Sequence, residues 1–183
     1  MENKNNYIVV TILIINIIAL FLIITNHLET SITKWIFLTL PIFIPIILKE
    51  LKISINNTIE MMYLILIFLS STLGRIYRLY YITEWFDLVV HGISGIQLFI
   101  LGLIILKHYK IKNITFTIIF TISLTLSLGT IRELTEYNMD ELFKTDMQNR
   151  KTGVKDTMED LSIAGTTSII SLIIYSKMNK LRK

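Results

Sequence analysis

Between Tyr7 and Thr25 the chain runs for nineteen residues without one charged side chain, broken in polarity only by Thr11, Asn16 and Thr25 itself. A run of that length and character matches the roughly 20 apolar residues that a helix needs to cross the hydrocarbon core of a bilayer. The same pattern recurs. Further charge-poor runs cover Ile32–Leu48, about Glu60–Tyr81, about Trp85–Leu106, Ile114 to about Ile131, and about Thr157–Tyr175, with the charges bunched at and between their ends. The expected fold is therefore all-α: a polytopic membrane helical bundle of about six transmembrane helices, forming one integral membrane domain over residues 1–183. Composition agrees, since 52% of the residues are hydrophobic and only 17% charged, against about 25% charged in soluble domains. Pro41 and Pro45 fall inside the second run. A kinked membrane helix tolerates them when neighbours bond the carbonyls they free.

Some functions are excluded at once. There is no cysteine, which removes disulfides, thiolate catalysis and cysteine metal sites. The first run lacks a small-residue cleavage site at its end and is expected to remain as a helix. The net charge of +4 sits largely in short loops and the tail, where it sets topology and meets lipid headgroups, so membrane lipids and not nucleic acid are the expected partners. With six spans both termini share one side. That side holds Lys4, Lys49, Lys52, Lys107, Lys110, Lys112, Lys177, Lys180, Arg182 and Lys183, whereas the short loops opposite hold Lys34, Arg75 and Arg78. Ten basic residues against three place both termini in the cytoplasm and the acidic stretch from Glu133 to Asp156 outside.

The ionisable residues gather towards that outer side in three pairs. Asp87 and His91 are four apart and share a helix face. Glu133 and Glu136 are three apart at the expected end of the fifth span, and Asp156 and Asp160 are four apart at the start of the sixth. Asp156-Thr157-Met158-Glu159 also has the form of a helix N-cap with an acid three residues on, which accounts for Asp156 and Glu159 without chemistry. His91, among Val89, Val90 and Ile93, is either a packed histidine or, with Asp87, a base or ligand. Glu133 and Glu136 resist a structural account more strongly. At a helix C-terminus they oppose the dipole and repel each other, so a cation is expected beside them: Arg132, Arg75, Arg78, His91 or a metal ion. Candidate catalytic residues are His91, Glu133, Glu136, Asp87 and Asp160. Asp87, His91, Glu136 and Asp160 form the candidate metal set, and Arg75, Arg78 and Gln148 are candidates for a substrate or lipid headgroup. One imidazole with carboxylates suits an oxygen-preferring divalent metal.

Several of these residues lie in segments that resemble a known family. Trp85-Phe86-Asp87-Leu88-Val89-Val90-His91-Gly92-Ile93-Ser94-Gly95 is similar to the D-x-x-x-H-x-x-x-G segment of the YjdF-like bacterial inner-membrane proteins. Glu133-Leu134-Thr135-Glu136-Tyr137 resembles their E-x-x-E-aromatic segment, Thr145 to Gln148 their T-x-x-Q element, and Asp156 to Asp160 their D-T-x-x-D element. Gly92 stands where that family usually has phenylalanine, and Gly165 falls earlier than its last-helix glycine. The VanZ-like membrane proteins are a more distant likeness. The resemblance implies a bacterial cell-membrane protein and no particular reaction.

Three functions fit these observations. One is a membrane-embedded enzyme acting on a lipid or lipid-linked substrate at the outer leaflet, with His91 or a glutamate as general acid or base. Another is a non-catalytic lipid-binding or assembly factor in which the charges form a structural network. The third is an ion- or proton-coupled transporter, disfavoured because the charges cluster at one face and no inverted repeat is visible. The charge bias makes a direct prediction for topology. Single cysteines at Lys110 and at Asn149 should label from opposite sides of intact cells, and reaction of Asn149 only after permeabilisation would reverse the orientation.

Overall fold

A computed structural model describes residues 5–52, 56–144, 147 and 153–181; Lys4, Arg182 and Lys183, used above for orientation, lie outside them. Every regular element among the described residues is helical. Six helices are long and apolar enough to cross a membrane: α1 (Asn5–Ile24), α2 (Ile32–Glu50), α3 (Asn57–Ile76), α4 (Phe86–His108), α5 (Ile114–Phe143) and α6 (Val154–Leu181). The chain's contacts group it into two compact units, Met1–Val90 and His91–Lys183, the division falling within α4.

The first unit shows how a lipid-facing helix is patterned. On α1 the buried residues are Asn5, Val9, Ile12, Asn16, Ala19 and Ile23, at alternating spacings of four and three that trace one helix face. The face away from them is no less apolar: Tyr7, Val10, Ile14, Ile17, Ile18, Phe21 and Ile24 are exposed. Val9 and Ile12 pack with Ile42 of α2 and Leu64 of α3, flanked by Ile8, Leu13, Tyr63, Ile67 and Phe68. The proline-bearing segment of α2 behaves as its sequence suggests. It tightens over Leu40–Phe43, and the Pro41 carbonyl, which Pro45 cannot reach with an N–H, accepts bonds from Ile44 N–H and from the Tyr63 hydroxyl at 2.8 Å. Asn16, 1% exposed, ties the three helices together. Its amide donates to Thr72 Oγ1 (3.0 Å) and accepts from Thr39 Oγ1 (3.3 Å), while the Trp35 indole donates to its backbone carbonyl (2.9 Å).

The third span differs from its expected extent. After Ile67 the helix widens, with Phe68–Ile76 π-helical and Tyr77 N–H reaching five residues back to the Thr72 carbonyl. It stops at Ile76, because Arg78 is left-handed (φ 64°) and starts a separate short helix, Leu79–Ile82. At the opposite end Glu60, in the first turn of α3 and 1% exposed at its side chain, is met by Lys49 at 2.6 Å.

In the second unit α5 packs along α6, and α4 approaches both. A Cβ at Gly95 of α4 would collide with the Ala164 carbonyl and the Thr167 hydroxyl of α6, and Gly102 faces Thr121 of α5. The largest departure from expectation is the length of α5. It starts at an Asn113 cap that accepts from Phe116 N–H, and runs past Ile131 to Phe143, where left-handed Lys144 ends it. No glycine or proline interrupts residues 130–143, so the arrival of charge ends the apolar run without ending the helix.

The Asn16 junction predicts a stability effect. Asn16→Leu removes both interhelical side-chain bonds and should lower unfolding stability in detergent by about 1–2 kcal/mol. Thr11→Ala, which removes only an exposed bond to the Tyr7 carbonyl of its own helix, should change it little. Equal midpoints for the two variants in a denaturant titration would show that Asn16 does not hold the unit.

Candidate functional site

The buried face of α5 is polar along its whole length. Thr117, Thr121 and Thr125 are buried one turn apart, followed on the same side by Glu133, Glu136 and Asp140. Each threonine hydroxyl donates to the carbonyl four residues earlier, and Thr125 also reaches Ser168 of α6 at 3.1 Å. The outward face carries Ile118, Ile119, Leu126, Ile131, Leu134 and Tyr137. At a rise of 1.5 Å per residue, Glu133 stands about 28 Å from Ile114, close to one hydrocarbon thickness. Glu133 thus lies about one such thickness along the helix from its start.

On α6 the matching buried face is Asp160, Ala164, Ser168 and Leu172. On α4 it includes His91, whose carbonyl accepts from Ser94. These faces bring three ionisable groups from three helices to one point. His91 Nε2 lies 3.3 Å from Asp160 Oδ2 and 3.9 Å from Glu133 Oε1, with all three side chains 4–6% exposed. The second oxygen of Glu133 accepts from the Thr157 hydroxyl at 3.0 Å. One turn along α5, Glu136 takes a different partner, Arg132, at 3.3 Å. A further turn on, Asp140 Oδ1 accepts Met147 N–H at 2.7 Å.

Two expectations need correction. Glu133 and Glu136 do not sit at a helix C-terminus, since α5 continues to Phe143, so the helix dipole imposes no cost on them. Nor is Asp156 an N-cap: α6 begins at Val154, Thr157 N–H bonds the Gly153 carbonyl, and Asp156 lies inside the first turn, where the dipole still favours it. Glu159 is exposed and pairs only loosely with Lys155 at 3.5 Å, a surface pair of small worth.

The other candidates are distributed as follows. Asp87 stands in the first turn of α4, one turn before His91, with ligand atoms of the two within 4.8 Å. Arg75 and Arg78 belong to the first unit. The Arg75 guanidinium lies 5.9 Å from the Tyr80 ring centre, and Arg78 lies 5.3 Å from that of Tyr81 and pairs with Glu29. Gln148, with Thr145, Asp146 and Asn149, lies outside the described residues. Two polar residues of the site were not singled out by sequence, Asp140 and Thr157. Asp140 was legible in principle, since it follows Glu133 and Glu136 at helical spacing once the helix is allowed to continue.

A family described as "predicted membrane protein (DUF2238)" matches residues 7–181. No protein of curated function and no solved structure matches the chain. The match takes in all six apolar helices and every residue of the His91 cluster. The chain is thus a multi-pass membrane protein belonging to the DUF2238 family, the family of the YjdF-like proteins that its Asp87–Gly95 and Glu133–Tyr137 segments resemble.

Proposed function

We propose that this protein is a membrane-embedded enzyme that carries out acid–base chemistry on a lipid or lipid-linked substrate. One observation carries the reading: a buried imidazole nitrogen stands between two buried carboxylates contributed by two other helices. Burying three ionisable groups together costs several kcal/mol, and membrane proteins place such groups chiefly where they act. Asp160, the nearer acid, fixes the orientation of the His91 ring. Glu133, held from behind by Thr157, is the second proton-accepting group. The cluster of His91, Asp160 and Glu133 then takes and returns the proton, directly or through a water that it holds, a role worth about 10²–10⁴ in rate.

The depth of the cluster favours a lipid substrate. A site one hydrocarbon thickness along α5 meets the level where a lipid's acyl chains join its headgroup. With the orientation expected from the lysines and arginines, that level belongs to the outer leaflet. Glu136, matched by Arg132, is assigned a structural part, and this pair is the observation that favours a non-catalytic network as the second reading.

Lipid extracts of cells lacking the gene, compared by mass spectrometry with cells complemented in trans, test the proposal. His91→Gln and Glu133→Gln should insert normally yet leave the extract like that of the deletion, with turnover down about 10²–10⁴-fold. Glu159→Gln should restore it. An extract that does not depend on the gene, or full restoration by His91→Gln, would remove the enzyme reading.

A further inference from the structure

We infer that the His91 cluster is a binding site for one divalent first-row metal ion, held by His91 Nε2, Asp160 and Glu133. The inference rests on the enzyme reading for the role of the site but not for its geometry. Three observations support it. The first is donor spacing. Ligands about 2.0–2.2 Å from an ion lie roughly 3.0–3.5 Å from one another in octahedral or tetrahedral arrangements. The separation of 3.3 Å between His91 Nε2 and Asp160 Oδ2 falls in that range, and Glu133 Oε1 at 3.9 Å needs to move only a few tenths of an ångström. The first of these is also longer than the usual 2.9–3.0 Å of an N–H···O bond.

The second is charge. A neutral imidazole and two carboxylates sum to −2, and a proton on His91 brings this only to −1. One divalent cation brings the trio to neutrality, the state a buried site at the edge of a bilayer favours. The third is support around the ligands. Glu133 receives the Thr157 hydroxyl on the oxygen turned away from His91, the kind of outer hydrogen bond that fixes a ligating carboxylate. One imidazole nitrogen with carboxylate oxygens suits Mn²⁺ or Zn²⁺ and gives no reason to expect a thiophilic ion. A bound ion would supply an acidified water or neutralise a substrate oxygen.

The test uses the full chain in phosphatidylcholine nanodiscs after chelator treatment. Mn²⁺ titration followed by electron paramagnetic resonance should show one ion per chain, and pulsed spectra of the wild type should show coupling to one imidazole nitrogen. Asp160→Asn and Glu133→Gln should each weaken binding at least about tenfold, while Glu159→Gln leaves it unchanged. The nitrogen signal of the wild type decides the matter even where a variant fails to fold. No stoichiometric ion, an ion without nitrogen coupling, or unchanged affinity in a folded Asp160→Asn would overturn the inference. Absence of the ion together with a His91-dependent lipid extract would leave a metal-free proton-transfer centre. A bound ion with an extract indifferent to His91 would instead remove the enzyme reading and leave a structural cation.

Discussion

Within a bilayer no water is available to satisfy a polar group, so each must find its partner inside the protein. That constraint organises what is seen here at every scale. It accounts for Tyr63 donating to the carbonyl that Pro45 frees, and for Thr30 donating to the Ile76 carbonyl where the widened end of α3 runs out. It accounts for the threonines of α5 bonding to their own helix. It also inverts the usual sense of amphipathicity. On α5 the exposed isoleucines and leucines face outward, while the buried face is threonine, glutamate and aspartate. Lipid rewards the first arrangement as water would penalise it, and the interior accepts the second only because the groups there meet one another.

Much of the fold was legible from charge-free runs, because hydrocarbon imposes a length that a sequence must honour. The spans come out where the runs are, including the proline-bearing second one. The ends were not legible, and α5 shows why. Hydropathy reports where lipid stops, and helix formers report where the helix stops, and residues 132–143 are polar enough for the first and helical enough for the second. Treating these boundaries as one placed Glu133 and Glu136 at a helix terminus and led to a dipole argument that the continued helix removes. At α3 the opposite error arose, since an unbroken pattern concealed the left-handed turn at Arg78.

The ionisable residues of the site were visible in the sequence, but their partners were not. Glu133 and Glu136 are three residues apart, so their side chains leave the helix about 60° apart around its axis. That difference is enough to send Glu133 towards His91 and Thr157 and to leave Glu136 with Arg132. Spacing alone treats such a pair as equivalent. Only the packing of α5 against α6 separates a carboxylate that faces an imidazole from one that is neutralised on its own helix.

The same packing explains why a glycine belongs one turn below the histidine. Gly95 follows His91 by four residues on α4, and Ala164 follows Asp160 by four on α6. The two contacts are therefore successive rungs of one helix–helix seam. At the lower rung a Cβ on Gly95 would strike the Ala164 carbonyl, so its absence lets the backbones approach closely. At the upper rung that approach brings His91 Nε2 within 3.3 Å of Asp160. Side chains as short as aspartate cannot span a wider seam, and a carboxylate that fell short would be left buried without its partner. The separation of these two ionisable groups is set by a residue that has no side chain of its own.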